Sequence, residues 1–253
     1  MSPHAPLPIA VLVSGRGSNM QALVEHSRRA DAPYRVALVL SDNAQARGLV
    51  IARDLGIATR AVPADKSIDR SVYDRALAAA VDECEPALIV LAGFMRILSA
   101  DFVARYSGRI LNIHPSLLPK YPGLHTHRKA LAAHDATHGA TVHFVTAELD
   151  GGPPVIQARV NVEPGDDETS LAARVQAMEH RIYPLAVNWY CAGRLRCHAG
   201  TAWLDGKALS GPLLYDPAMT GEATSGNATI TGSVSATGGA APPGDARPSQ
   251  RQA

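Results

Sequence analysis

The stretch Arg109-Ile110-Leu111-Asn112-Ile113-His114-Pro115 is a short apolar run with two polar side chains near its end. Residues 109–113 have the length and the Ile/Leu content of a strand that is buried on both faces, as in a parallel sheet. Side chains two positions apart in a strand point to the same side, so Asn112 and His114 are predicted to lie together. They stand at the carboxyl end of the strand, where open α/β sheets bind their ligands.

Similar apolar runs at 9–13, 35–40 and 87–91 precede this stretch, and segments with helical spacing separate them. The predicted helices cover residues 20–29, 46–55, 69–84 and 100–106, and Ser99 is a suitable N-cap for the last of them. This alternation predicts an α/β fold: a doubly wound, mostly parallel, Rossmann-like sheet in a single domain.

Beyond Pro115 the pattern changes to a loop rich in Pro and His that reaches about residue 126. A short helix (128–133), two strands (141–145 and 155–162) and a long amphipathic helix (169–190) are predicted to follow. Pro184 is expected to bend or break the long helix because it lacks a backbone N–H. We expect an extension at 1–8, a folded domain at 9–216 and a disordered tail at 217–253, where large apolar residues are scarce.

Composition excludes several classes of protein. The chain has 253 residues, of which 46% are hydrophobic and 19% charged, as in ordinary globular proteins. A net charge of +1 gives no basic field for nucleic acid. Its three cysteines contain no C-x-x-C pair, and no apolar run reaches the roughly 20 residues that span a bilayer. We therefore expect a cytoplasmic protein that binds neither nucleic acid nor membrane; an oligomeric state is not predicted.

The segment Ser14-Gly15-Arg16-Gly17-Ser18-Asn19 joins the first predicted strand to the first helix. Glycines allow a tight turn there, and free N–H groups at the start of a helix suit a phosphate. A dinucleotide fingerprint with Asp42 as the ribose acid is an alternative, but Met20 occupies the place of its third glycine. A purely structural turn is also compatible with this segment.

Asn112 and His114 together could donate hydrogen bonds to an oxyanion, and histidine could also carry the proton of an attacking amine. They could equally satisfy backbone groups at the strand end. Asp150, in the turn Glu148-Leu149-Asp150-Gly151-Gly152-Pro153, could reach His114 and fix its tautomer, or could be a surface acid. His125, His127 and His143 raise a metal alternative, but no H-E-x-x-H motif is present, and we expect no metal.

These motifs, in this order, resemble those of the folate-dependent formyltransferases that act on glycinamide ribonucleotide (GAR) in purine synthesis. The resemblance covers about residues 9–204 and includes the stretches 90–98, 112–126, 142–146 and 148–153. It implies a formyltransferase of one-carbon metabolism with 10-formyltetrahydrofolate as co-substrate and small-molecule partners only. Two residues depart from the family pattern: Pro154 makes a double proline, and Arg16 adds a cation to the phosphate loop.

The resemblance also implies site residues. Asn112, His114 and Asp150 match the catalytic trio of the family. The residues implied to bind GAR are Gly17, Ser18, Asn19, Gln176, Ala177, Met178 and Glu179. Those implied to bind the folate are Arg70, Met95, Arg96, Ile97, Leu98, Asn112, Thr146, Ala147, Glu148, Leu149 and Asp150.

By the same resemblance, the GAR amine attacks the formyl carbon directly, Asn112 and charged His114 stabilise the oxyanion, and Asp150 keeps His114 protonated. Three alternatives stay open. A formyltetrahydrofolate hydrolase shares the Asn-x-His-Pro core but carries an amino-terminal regulatory domain. A methionyl-tRNA formyltransferase carries a folded carboxy-terminal domain. A nucleotide-binding sensor would keep the phosphate loop without catalysis.

Overall fold

The fold is organised around one large sheet in the computed structural model, which describes residues 5–63 and 69–220. The strands are β1 (Leu7–Val13), β2 (Tyr34–Ser41), β3 (Ala58–Ala61), β4 (Leu88–Leu91), β5 (Ile110–His114), β6 (Thr137–Phe144), β7 (Pro154–Asn161), β8 (Leu195–His198), β9 (Thr201–Leu204), β10 (Lys207–Ala208) and β11 (Leu213–Leu214). Eight of them form the sheet in the order β11-β7-β6-β5-β4-β1-β2-β3, and β8 to β10 form a separate three-stranded sheet.

Helices cover both faces of the large sheet. They are α1 (Ser18–Ser27), α2 (Arg47–Asp54), α3 (Arg70–Asp82), α4 (Ala100–Arg105), α5 (Thr126–Ala132) and α6 (Glu168–Cys191). The predicted N-cap at Ser99 is confirmed, since its hydroxyl accepts the Phe102 N–H at 3.2 Å. Asp167 begins α6 with a capping box that it shares with Ser170.

The strand order confirms the predicted doubly wound, mostly parallel sheet. The chain runs outward from β1 in both directions, so the switch point of the topology lies between β1 and β4. Among the described strands of the eight-stranded sheet, only the β5–β6 and β6–β7 pairs are antiparallel. The β5–β6 register sets Asn112 opposite His143 and His114 opposite Thr141, which decides the neighbours of both predicted catalytic side chains.

Two apolar layers pack against the large sheet, and they explain why its strands appear in the sequence as continuous apolar runs. Alternate residues of β1 enter different clusters: Val11 packs into the layer that contains α6, and Leu12 packs into the layer that contains α3 and α4. The central strand β1 therefore buries both of its faces, and β4 and β5, the next two strands of the sheet, are likewise buried along most of their length. Within the described residues, no helix is long and apolar enough to cross a membrane.

Helix α6 crosses the first of these layers and is anchored to the middle of the sheet. The Tyr183 hydroxyl lies 3.0 Å from the Leu91 carbonyl oxygen and 2.9 Å from that of Leu111, so one side chain contacts β4 and β5. Pro184 was predicted to bend or break this helix; a break is wrong, because α6 continues through Pro184 to Cys191. The residues around Pro184, from Ile182 to Val187, are buried. Their packing outweighs the roughly 3 kcal/mol that an internal proline costs a helix.

The predicted boundaries differ from the structure at both ends. Residues 7 and 8 already belong to β1, because they pair with β2. At the other end Pro217–Thr220 form a 3₁₀ helix in which Met219 packs against the core, so these four residues are not part of a disordered tail. The remainder of the predicted tail, from residue 221, lies outside the described residues, as do residues 1–4.

Candidate active site

Asn112 lies near the end of β5 and contacts a histidine of β6. Its amide donates a hydrogen bond to His143 Nε2 at 3.1 Å, while His143 Nδ1 donates to the Phe144 carbonyl at 2.9 Å. Burial lowers the pKa of His143, which fits the neutral tautomer that this arrangement requires. Since one amide N–H of Asn112 is used in this way, the second remains for a ligand.

His114 is held between a loop carbonyl and a carboxylate. Its Nε2 donates to the Tyr121 carbonyl oxygen at 2.9 Å, and its Nδ1 lies 3.4 Å from Asp150 Oδ2. Both side chains are less than a tenth exposed. A carbonyl oxygen can only accept, so Nε2 carries a proton; a second proton on Nδ1 then makes an ion pair with Asp150. The charged imidazolium is the form that satisfies both contacts.

Asp150 connects three parts of the site. Its Oδ2 also accepts the Gly123 N–H at 2.8 Å, and its Oδ1 lies 3.7 Å from His143 Nε2. Asp150 itself has φ 52°, a left-handed conformation that Asp tolerates better than most residues. A Cβ on Gly152 would lie 1.9 Å from the Phe144 carbonyl oxygen. The turn that presents the carboxylate therefore requires glycine at this position.

The phosphate loop packs against the start of α2. Gly17 is the N-cap of α1 with φ 79°, and no side chain caps the helix. A Cβ on Gly17 would lie 2.6 Å from Gly48 Cα, and Gly48 N–H donates to the Gly15 carbonyl at 2.9 Å. Only glycine permits this approach, which leaves the first N–H groups of the ten-residue α1 facing a cavity.

That cavity holds about 780 Å³ and lies between the phosphate loop and the first half of α6. Gln176 donates to the Ser18 hydroxyl at 3.0 Å, and the Asn19 amide donates to Glu179 at 2.7 Å. Burial raises the pKa of Glu179, although the Asn19 hydrogen bond and the charge of Arg16 act to lower it. Buried Asn19 Oδ1 has no hydrogen-bond partner among the described residues and is free to accept one from a ligand.

The cavity continues to the end of β5, because Ile113 and Pro115 also line it. Of the four consecutive residues expected on α6, only Gln176 and Glu179 line this cavity. Ala177 is exposed, and Met178 packs against the core. The helical period accounts for this difference, since positions three apart share a face and their intervening neighbours do not.

The residues expected along the folate flank the ends of β4 and β6. Met95, Ile97 and Leu149 are 66%, 58% and 52% exposed, an unusual degree for large apolar side chains grouped near one site. Arg70 donates to the carbonyl of buried Leu98. Arg96 stacks on the Tyr73 ring, with its guanidinium carbon 4.5 Å from the centroid. Of the other residues expected along the folate, Thr146 is half-buried, and Ala147 and Glu148 are exposed.

Sequence reasoning missed the contact of His143 with Asn112 and considered His143 only as a metal ligand. The β5–β6 register places the two residues opposite each other, but strand register cannot be read from the sequence alone. His125 is the N-cap of α5, and His127 pairs with His138 at 3.1 Å. In residues 5–63 and 69–220, no group of three or more His, Cys, Asp or Glu side chains could hold a metal ion.

Comparison with known proteins fits this geometry. A family profile described as "Formyl transferase" matches residues 7–187. Phosphoribosylglycinamide formyltransferase of Escherichia coli (strain K12) is 54% identical over 201 residues, which cover 79% of this chain and 95% of the relative. The human trifunctional purine biosynthetic protein adenosine-3 is 39% identical over 188 residues, 74% of this chain and 19% of that protein.

Solved structures agree with these relatives. The phosphoribosylglycinamide formyltransferase of Coxiella burnetii matches with a TM-score of 0.79 and 45% identity, over 83% of this chain and 100% of that one. That of Brucella melitensis matches with a TM-score of 0.71 and 46% identity, over 75% and 97% of the two chains. The chain therefore belongs to the formyl transferase family, as one of the phosphoribosylglycinamide formyltransferases.

Proposed function

We propose that this site transfers the formyl group of 10-formyltetrahydrofolate to the amine of glycinamide ribonucleotide, with Asn112, His114 and Asp150 as its catalytic groups. One observation carries the proposal: a single cavity of about 780 Å³ extends from a phosphate-type loop to the end of β5, where it is lined by Ile113 and Pro115, the residues on either side of His114. A phosphorylated amine held by the loop can therefore place its amine beside an oxyanion site.

Three features of the cavity support the proposal that it binds the phosphate and ribose of the substrate. The uncapped N-terminus of α1 offers N–H groups and a positive dipole end to a phosphate. Glu179 and the free Oδ1 of Asn19 can accept hydrogen bonds from ribose hydroxyls. Gln176 reaches the Ser18 hydroxyl and so holds that residue at the loop.

The chemistry follows from the donors at the strand end. The amine attacks the formyl carbon and forms a C–N bond, and the carbonyl oxygen becomes an oxyanion. The free amide N–H of Asn112 and the His114 imidazolium are donors for that oxygen. An oxyanion is a stronger acceptor than the neutral Tyr121 carbonyl that Nε2 contacts in this structure, so substrate can replace that bond.

The second half of the reaction moves one proton. The attacking nitrogen loses a proton as it becomes an amide, and the folate nitrogen gains one as its bond to the formyl carbon breaks. His114, or a water beside it, can carry that proton over, since histidine both donates and accepts near neutral pH. Asp150 restores the charged imidazole for the next turnover.

The folate would lie along the exposed apolar side chains that follow β4 and β6. Met95, Ile97 and Leu149 leave apolar surface that a flat ring system would cover, and burial of such surface is favourable. Arg70 contacts the carbonyl of Leu98, the residue after Ile97, and a guanidinium there suits the acidic tail of a folate.

The test is to mix the protein with 10-formyltetrahydrofolate and glycinamide ribonucleotide and to follow free folate and formylated product together. Equal amounts of the two products, formed only when both substrates are present, are expected. Folate release without the ribonucleotide would identify a hydrolase instead, and absence of turnover would refute the proposal. His114→Ala is expected to retain the fold and lose most turnover. Added chelator is expected to leave the rate unchanged.

A further inference from the structure

The cavity beside the phosphate loop has an uneven charge. Two of its lining residues are carboxylates, Glu168 and Glu179. Arg16 is the one lysine or arginine among the described residues that line it. Glu168 already accepts a hydrogen bond from Arg128. Within the described residues, the hydrogen bond that buried Glu179 accepts from a side chain comes from the neutral Asn19 amide. A dianion that enters this cavity therefore meets a buried carboxylate and a single cationic side chain.

The backbone on either side of Arg16 is fixed. Gly15 accepts the Gly48 N–H at 2.9 Å, and Gly17 is in close contact with Gly48. Ser14 donates to the Gly93 carbonyl at 3.1 Å and accepts the Met95 N–H on its hydroxyl at 2.9 Å. These contacts hold the loop between α2 and the end of β4, so the Arg16 side chain leaves the backbone from a defined point.

The guanidinium of Arg16 is exposed and lacks a partner. Within residues 5–63 and 69–220 it forms neither an ion pair nor a side-chain hydrogen bond, although its charge acts on Glu179. Most other arginines around the site are engaged: Arg70 with a carbonyl, Arg96 with a ring and Arg128 with Glu168. Arg16 is therefore available to a ligand at the mouth of the cavity.

We infer that Arg16 is a specificity-determining residue that binds the 5′-phosphate of the ribonucleotide and selects it over the unphosphorylated riboside. This inference rests on the proposed function. The planar guanidinium fork matches phosphate geometry, and the uncapped N–H groups of α1, whose first residues line the same cavity, can bind the same phosphate. It also balances the repulsion between the phosphate and Glu179, so that the carboxylate can remain near the ribose.

A charge-assisted hydrogen bond of this kind corresponds to about a 10- to 100-fold change in affinity. Arg16→Gln is expected to raise the KM for the ribonucleotide by about that factor and to leave kcat within about threefold. Arg16→Lys should recover part of the loss, because it keeps the charge without the fork. Arg53→Gln is the matched control, since it removes the same charge from the exposed last turn of α2, outside the cavity.

The decisive comparison uses glycinamide riboside, the substrate without its phosphate, with wild type and Arg16→Gln. Equal kcat/KM for the riboside in both proteins, with a loss confined to the ribonucleotide, supports a direct contact with the phosphate. An equal loss with both substrates would overturn it, because Arg16 would then act through Glu179. An unchanged KM for the ribonucleotide would overturn it as well.

Direct binding separates this inference from the proposed reaction. Ribose 5-phosphate titrated calorimetrically into wild type, Arg16→Gln and Arg53→Gln needs no turnover. Binding that is weakened only in Arg16→Gln supports the phosphate contact even if no formyl transfer is observed. Equal binding by all three proteins, or by none, would refute it.

Discussion

The Asp150→Asn variant tests the charge of His114 most directly. Asn keeps the shape of the side chain and tolerates the φ of 52° found here. Its carbonyl oxygen can still accept the Gly123 N–H, so we expect the fold to survive. That same oxygen replaces Oδ2 beside His114 Nδ1, so a neutral carbonyl takes the place of the negative charge there, while the NH₂ group replaces Oδ1 beside His143 Nε2. The variant therefore loses the charge that stabilises the imidazolium.

The magnitude follows from the distance. At 3.4 Å, a carboxylate and an imidazolium attract each other by about 5 kcal/mol at an effective dielectric constant of ~20. The amide of the variant returns about 1 kcal/mol as a neutral hydrogen bond. At most about 4 kcal/mol of stabilisation of the charged histidine is lost, and desolvation of the carboxylate reduces that figure. We therefore expect kcat to fall by about 10²- to 10³-fold.

The assay is steady-state formyl transfer at saturating concentrations of both substrates, with thermal unfolding measured in parallel. Asp101→Asn, an exposed carboxylate in the first turn of α4, is the control for the change in net charge and should behave as wild type. A folded Asp150→Asn variant with kcat within threefold of wild type would refute the assignment of Asp150.

Three further predictions concern other parts of the molecule. Asn112→Ala removes one oxyanion donor and should lower kcat by about 10²- to 10³-fold with little change in the KM for the ribonucleotide; an unchanged kcat would contradict this role. Gly152→Ala should lower the free energy of unfolding in urea by about 3 kcal/mol or more, because its Cβ would lie 1.9 Å from a carbonyl oxygen; Gly211→Ala, with open space around its Cβ, should lower it by less than about 0.5 kcal/mol. Burial, reinforced by the charge of His127, lowers the pKa of His138 to about 4. The unfolded chain, with a histidine pKa of about 6.5, then binds more protons than the folded chain. The stability that neutral His138 contributes is present above pH 6.5 and falls as pH decreases towards 4. His138→Gln should flatten that decrease in urea midpoint against pH, and an unaltered slope would contradict it.

The sequence predicted best those elements whose signal is local. The predicted strand 9–13 lies within β1, and the predicted strand 109–113 shares four of its five residues with β5, because a strand buried on both faces shows an uninterrupted apolar run. Strand β3 and the small sheet β8 to β10 were missed. They are short and partly exposed, so they lack the apolar run that marks a strand buried on both faces.

The candidate site was predictable in its residues but not in its contacts. Asn112 and His114 follow from the period of a strand, and their chemistry from their side chains. The role of His143 depends on the β5–β6 register, and the requirement for Gly48 depends on how α2 meets the phosphate loop. At Pro184 a local rule was misleading instead. The proline predicted a bend or break in the helix, but the packing of α6 against the sheet keeps the helix continuous.

The Tyr183 hydroxyl has one proton and two carbonyl oxygens within 3.0 Å, those of Leu91 and Leu111. Tyr183 follows Glu179 by one turn of α6, and Leu111 directly precedes Asn112. A single three-centre hydrogen bond therefore fixes the spacing between α6, proposed to hold the nucleotide end, and β5, proposed to hold the reacting end. We therefore expect the site to accept an amine only at one distance from its phosphate, because the buried Tyr183 side chain sets that spacing.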